Sequence, residues 1–469
     1  MSRRLLTAGG VAVAVVVVVS MATPAVAKPV APPPGIHRVS GTSPIARCNP
    51  VNDATLTRGY EHQSSLAADP AHPLHLAATW VQDFEDAAVV SVSDDGGVSW
   101  AAKGVPGQMP VCEGDVVYDT VNNPRASVGV DGTVYVISNV SSTRTGDQSV
   151  RVNALRDGGQ SWAGSTELES GASLDWVWAA ADPTIAGRAY VLWGHRDRDE
   201  NGEVIGAYER LAMTIDGGHS WTSMRAHPEP PAGSTYQFGE LFLLADGSLL
   251  DVFEQCGLDQ CASSAGDVLV SRTTDVGGHW SSPVRAATAS TGWFAAAVSP
   301  DGTLNVVAPG RGADGSWRLV LSTSDDLGGS WRGPSVILDG DRNEPTSLTL
   351  AVAGDGTVGA LYYDKRNAAL ASGLSAAAPQ CQYDDGYACS TDAWLLTGRS
   401  KTWVETHLAG TFEATAFEGG DCCHGLGEWE GLVGRSKGFA ALLTLGSSDT
   451  SDPDQQVTNG PTDVFLGRT

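Results

Sequence analysis

The chain has 469 residues, with 54 Asp and Glu against 29 Lys and Arg, for a net charge of −25 at pH 7. A surface this acidic repels phosphate backbones, which sets nucleic acid aside as a partner; it reads instead as solubility outside the cell. The length exceeds what a single hydrophobic core usually fills.

Residues 1–27 read as a secretory leader. Arg3 and Arg4 form the charged region, Val11 to Val19 the apolar core, and Ala25-Val26-Ala27 the cleavage site. No Cys follows to carry a lipid, and no later apolar run is long enough to span a bilayer. The expectation is a secreted, extracellular monomer with no membrane anchor. Residues 28–45 contain Pro29, Pro32, Pro33, Pro34 and Pro44 and read as an extended Pro-rich lead-in. Residues 46–469 form one repetitive, β-rich domain.

The repeat is Ser/Thr-x-Asp-x-Gly-x-x-Trp. It occurs with Asp95, Gly97 and Trp100; with Asp216, Gly218 and Trp221; with Asp275, Gly277 and Trp280; and with Asp326, Gly328 and Trp331. A fifth copy keeps Asp157, Gly159 and Trp162 but opens on Leu155. A decayed sixth copy has Gly398 at the Asp position and ends on Trp403. Asp followed by Gly signals a tight turn, in which the carboxylate accepts backbone N–H groups and glycine supplies positive φ. The Trp that follows can pin the hairpin to a neighbouring layer.

This pattern resembles the Asp-box, or BNR repeat, of the sialidase superfamily and other secreted β-propellers. Asp175-Trp176, Ala181-Asp182-Pro183, Ala189-Tyr190-Val191, Tyr362-Tyr363-Asp364-Lys365-Arg366 and Thr462-Asp463-Val464-Phe465 are similar to segments of secreted bacterial BNR proteins. The resemblance implies an all-β propeller of four-stranded antiparallel blades, with the boxes serving as turn staples on the face away from the active site.

Spacing gives the blade number. Trp100, Trp162, Trp221, Trp280, Trp331 and Trp403 recur every 61 residues or so, about the period of one propeller unit. Seven pairs of apolar strands start near residues 65, 126, 178, 240, 294, 347 and 431, several turning at Asp-Gly. The expectation is seven blades, with six as the alternative. The last blade lacks an outer strand, which the N-terminal segment around residues 46–60 would supply to close the ring.

Eight Cys in an exported chain suggest disulfides. Cys256 with Cys261 and Cys381 with Cys389 can each close a short loop. The simplest use of the rest ties Cys48 and Cys112 to the vicinal Cys422 and Cys423. A metal site on Cys422, Cys423 and His424 is the sharper alternative, but adjacent thiolates seldom share one tetrahedral ion. No metal and no cofactor are expected.

In a four-stranded blade, the turn between strands three and four shares a face with the turn between strands one and two. The opposite face receives the entries to strand one, and there the resemblance implies a ligand site over the central channel. Glycosidases pair carboxylates, and sialidases substitute a Tyr nucleophile; indoles stack on sugars, and Arg grips carboxylates in bidentate fashion. Glu344, Glu240 and Asp175 are the acid/base candidates, and Tyr236 and Tyr363 the nucleophile candidates, paired as Tyr236 with Glu240 or Tyr363 with Glu344. Arg125, Arg311 and Arg366 could form the arginine triad that the resemblance requires, with Asp364, Trp176, Trp178, Trp293 and Trp429 also binding substrate. Each has a plainer reading: strand-end charges in solvent, indoles packed between blades, and an Asp364–Arg366 ion pair. The short Arg-Ile-Pro-like motif of sialidases is missing; Asn123-Pro124-Arg125-Ala126 is the nearest approach, reversed and on the second blade. The expected function is sialidase-like glycoside hydrolysis of an extracellular glycan or glycoprotein. The alternatives are a non-catalytic propeller that binds glycan or protein, and another carbohydrate-active reaction.

Overall fold

The computed structural model describes residues 35–48, 59–171, 173–227, 229–244, 246–258, 265–290, 293–341, 344–367, 389–399, 401–414, 426–427, 429–446 and 462–469. The expected leader, and the pairings expected of Cys261, Cys381, Cys389, Cys422 and Cys423, lie outside the described residues and side chains.

Seven four-stranded antiparallel sheets form a ring. The closing strand is β1 (Ile36–Arg38). Blade 1 comprises β2 (His62–Ala68), β3 (Leu76–Gln82), β4 (Ala87–Ser93) and β5 (Ala101–Gly104). A single turn of helix, α1 (Pro110–Glu113), leads to blade 2: β6 (Thr120–Val128), β7 (Val134–Ser141), β8 (Gln148–Arg156) and β9 (Ser161–Ser170). Blade 3 holds β10 (Ser173–Ala181), β11 (Ala189–Arg198), β12 (Val204–Thr214) and β13 (Thr222–Arg225). Blade 4 holds β14 (Ser234–Leu243), β15 (Leu249–Gly257), β16 (Gly266–Thr273) and β17 (Val284–Ala289). Blade 5 holds β18 (Ala295–Val298), β19 (Leu304–Arg311), β20 (Trp317–Ser324) and β21 (Arg332–Asp341). Blade 6 holds β22 (Thr346–Val352), β23 (Val358–Asp364), β24 (Cys389–Arg399) and β25 (Thr402–Ala414). Blade 7 holds β26 (Gly431–Gly434), β27 (Phe439–Gly446) and β28 (Thr462–Arg468), with β1 outermost. The innermost strands touch in succession, from β2 through β6, β10, β14, β18, β22 and β26 back to β2. Seven blades, not six, complete the circle.

The repeated turns join strands three and four and have the expected chemistry. In blade 5, Ser324 Oγ donates to Asp326 Oδ1 at 2.7 Å and accepts from Gly328 N at 2.9 Å. Asp326 also accepts from Ser330 N at 2.8 Å and Ser330 Oγ at 2.7 Å. These bonds, with that of Ser330 Oγ foremost, hold the Asp326 carboxyl down to about 2. The turn also docks on the preceding blade. A Cβ at Gly328 would lie 2.7 Å from Val270 Cγ1 of blade 4, and one at Gly218 2.8 Å from Ala154 Cβ of blade 2. Trp331 packs against the cluster of Leu250, Val268 and Val270 of blade 4, and Trp221 meets Tyr135 of blade 2 edge-on at 6.2 Å.

Ring closure differs from expectation in its segment. The closing strand is not residues 46–60 but β1, inside the Pro-rich lead-in. It pairs Ile36, His37 and Arg38 with Gly467, Leu466 and Phe465. Arg38 then meets buried Asp463 at 2.5 Å, and Ser40 Oγ donates to the same carboxylate at 2.9 Å. Cys48 and Cys112 are bonded to each other rather than to Cys422 and Cys423, because α1 brings their Cα atoms within 4.9 Å. Cys256 is disulfide-bonded.

Candidate ligand site on the entry face

Five innermost strands share one irregularity near the entry face. Each carries an extra residue against its neighbour: between His62 and Ser65, Asn122 and Arg125, Asp175 and Val177, Gln237 and Glu240, and Thr346 and Thr349. In each bulge one residue takes a left-handed backbone: Gln63, Asn123, Trp176, Phe238 and Ser347. The bulge turns these side chains inward at one level, where they build a girdle across the channel.

One arc of the girdle is aromatic. Trp176 of blade 3 meets Phe238 of blade 4 at 4.7 Å, Trp293 at the start of blade 5 at 5.9 Å, and Trp429 at the start of blade 7 at 4.9 Å. The other arc is polar. Gln63 Nε2 donates to Asn123 Oδ1 at 3.0 Å, and Gln63 Oε1 accepts from Asn123 N at 2.9 Å. Asn123 Nδ2 donates to Asp175 Oδ1 at 3.0 Å. Asp175 Oδ2 meets Arg196 at 3.1 Å, and Arg196 in turn donates to Gln237 Oε1 at 2.8 Å. Gln63, Asn123 and Gln237 are buried, whereas the Asp175 side chain is 35% exposed and that of Arg196 23%. A string of planar polar groups therefore spans blades 1 to 4, fixed by mutual hydrogen bonds, with two charged members open to solvent.

On the other side of the girdle, the channel holds a cavity of about 560 Å³. Its lining includes the residue two places beyond each left-handed position: Ser65, Arg125, Trp178, Glu240 and Thr349. The Arg125 guanidinium lies between the rings of Trp178, at 4.3 Å, and Trp429, at 3.9 Å, a cation–π sandwich. Glu240 Oε2 accepts from Ala296 N at 2.8 Å. Burial pushes the Glu240 carboxyl up to about 8 against the opposing charge of Arg125, so it is protonated at neutral pH. Burial does the same to Glu430, again to about 8, where Ser64 and Thr444 hydrogen-bond the carboxyl.

The residues singled out in the sequence divide accordingly. Arg125, Trp176, Trp178, Trp293, Trp429 and Glu240 converge at the channel, and Asp175 stands on the entry face above them. Arg311 does not join Arg125; it lies over Trp317 at 3.8 Å, at the exposed β19–β20 turn. Arg366 turns toward the blade's outer strand, bonding Asp364 at 2.5 Å and Glu405 of β25 at 2.8 Å and stacking on Trp394 at 4.1 Å. The arginine triad is therefore not assembled, and the ion pair is what Asp364 and Arg366 make. Tyr236 does not pair with Glu240, because the bulge separates them; it packs on Phe253 at 4.8 Å. The Tyr363 hydroxyl is buried and engaged by Thr444 O at 3.0 Å and Thr444 N at 3.1 Å, and burial with neighbouring Glu430 raises it well above the usual phenol range. Neither tyrosine is set up as a nucleophile. Glu344 lies beside Lys365, whose ammonium burial depresses while the Glu344 charge opposes the shift. Sequence reasoning passed over Gln63, Asn123 and Gln237. Their signal is slight: each is a polar residue among the first four of its blade's innermost strand, as in His62-Gln63, Asn122-Asn123 and Gln237-Phe238.

No family model matches the chain, and no curated protein is similar to it in sequence. Among solved structures it is similar to the Hadza microbial sialidase Hz136, at 15% identity and a TM-score of 0.47, over 85% of this chain and 74% of that one. It is similar to the GH93 α-L-arabinofuranosidase of Fusarium graminearum, at 14% identity and 0.43, over 66% and 92%. A protein of unknown function from Dyadobacter fermentans is similar at 12% identity and 0.44, over 92% and 98%.

Proposed function

We propose that the protein is a secreted propeller that recognises an extracellular glycan on its entry face. The observation that carries this reading is the hydrogen-bonded string Gln63–Asn123–Asp175–Arg196–Gln237, whose central Asp175–Arg196 pair is partly exposed. Sugar hydroxyls need donors and acceptors held in fixed register. Side chains already ordered by one another lose little entropy when a ligand arrives. Arg125, Trp176 and Trp429 then close the channel rather than contact ligand.

Hydrolysis is the second reading. It is favoured by two carboxylates near this face, Asp175 and Glu344, each standing beside a cation, Arg196 and Lys365. Glycosidases use such a pair of carboxyl groups.

Glycan-array binding with the mature protein, followed by a panel of fluorogenic glycosides that includes a sialoside, tests both. Binding without turnover is expected. Asp175→Asn and Arg196→Gln should each weaken binding about tenfold or more while the melt stays cooperative, the usual effect of removing a charged hydrogen-bond partner. Turnover abolished by Asp175→Asn would replace binding by hydrolysis. A folded protein with neither binding nor turnover would overturn both readings.

A further inference from the structure

The seam between blades 3 and 4 holds three buried titratable side chains that the entry face does not use. Glu209 lies on β12, His227 follows β13, and Asp251 lies on β15. Their side chains are at most 1% exposed. His227 Nε2 is 2.7 Å from Asp251 Oδ2 and 3.3 Å from Glu209 Oε2, and one ligating atom from each residue falls within 4.8 Å of the others. The sequence gives no hint of this cluster, because its members lie 18 and 24 residues apart, on two strands of different blades and in the connection between those blades.

The cluster is short of positive charge and of donors. Among the described residues, one backbone group reaches it besides the shared Nε2: Gly239 N donates to Glu209 Oε1 at 2.7 Å. Among the described residues, Asp251 Oδ1 and His227 Nδ1 are buried without a hydrogen-bond partner. With both carboxyls ionised, the cluster keeps a net negative charge even when the ring is protonated, and uncompensated buried charge is expensive. The surroundings hold the groups in place. The imidazole lies 4.2 Å from Phe253 and 4.6 Å from Trp280. A Cβ at residue 239 would sit 2.6 Å from Glu209 Oε1 and 2.9 Å from Asp251 Oδ1, so any larger residue there would push the cluster's side chains out of place.

We propose that Glu209, His227 and Asp251 bind one divalent transition-metal ion that staples blade 3 to blade 4. One imidazole and two carboxylates form a donor set suited to Zn²⁺ or Mn²⁺. A divalent ion cancels both carboxylate charges. Metal–ligand bonds of about 2.0–2.2 Å at a tetrahedral angle place neighbouring ligand atoms about 3.3 Å apart. Glu209 Oε2 already stands at that distance from Nε2, and Asp251 Oδ2 has to retreat by about 0.6 Å. With all three side chains buried, the ion is structural and enters during folding.

The test is elemental analysis of the mature protein purified without chelator, then unfolding with chelator and refolding with Zn²⁺, Mn²⁺ or Co²⁺. About one equivalent of metal per chain is expected, with a higher melting temperature after refolding with metal than without. His227→Gln should abolish both effects. If that variant does not fold, the Co²⁺-refolded wild type decides: visible absorption displaced by Zn²⁺ supports the site. Metal below about 0.1 equivalent after every treatment, with unchanged melts and no Co²⁺ absorption, would overturn it. Glycan binding plays no part in this readout, so it stands or falls apart from the entry-face reading.

Discussion

Glu240 illustrates how far a residue's role depends on where its strand is kinked. In the sequence it is one acid among many at a strand entry; in the fold, the bulge after Gln237 swings it into the channel, where burial pushes its carboxyl up to about 8. The unfolded chain releases this proton near the usual carboxylate value of about 4.3, so its contribution to stability is lost as pH rises from there through about 8. Glu240→Gln keeps an acceptor for Ala296 N and removes that loss. At pH 8 the variant should be more stable than wild type by about 2–4 kcal/mol, and near pH 4 the two should match, as urea melts at both values would show. Equal differences at both values would mean that Glu240 is not the titrating group. Chemistry of this kind was not legible in the sequence, because it depends on the direction of a side chain. Tyr236, Arg311 and Arg366 lie at strand ends, as read, yet point to a core cluster, a turn and an outer strand.

At the scale of elements, the repeated turns were legible because every bond that defines them is local. Ser324, Asp326, Gly328 and Ser330 lie within seven residues and meet as their spacing implies. The bulges escaped notice because one extra residue leaves little trace in an apolar pattern, which places the strands of blades 2 to 4 at residues 126, 178 and 240, each after its kink. The contribution of the turns to blade docking can be isolated with two glycines. Gly328 and Gly302 have nearly the same left-handed backbone, at φ 88° and 87°, but a Cβ at Gly328 meets Val270 whereas one at Gly302 meets nothing within 4 Å. Gly302→Ala should cost about 1–2 kcal/mol for the backbone alone. Gly328→Ala should cost about 1–3 kcal/mol more for the collision with blade 4. Equal losses in thermal melts would mean that the turn does not dock on the preceding blade.

A ring of blades has to hide its first and last strand edges, since an open edge invites pairing with another chain. Here β1 covers β28, and Arg38 and Ser40 fasten it to Asp463. The Cys48–Cys112 bond then ties the segment that follows β1 to the connection between blades 1 and 2, closing a loop with a sequence separation of 64. Ring closure by the N-terminal segment was legible in the sequence from a blade one strand short. The cysteine partner was not, since four half-cystines without structure allow three pairings. A crosslink over this separation restricts the unfolded chain by up to about 4 kcal/mol, less any native strain. Cys112→Ser should therefore lower stability by about 2–4 kcal/mol. Cys48→Ser should cost the same, and the double variant no more than either single one, because all three remove one bond. If the two single losses add in the double variant, the cysteines act as separate core residues, and β1 is held by its strand pairing and the Asp463 contacts alone.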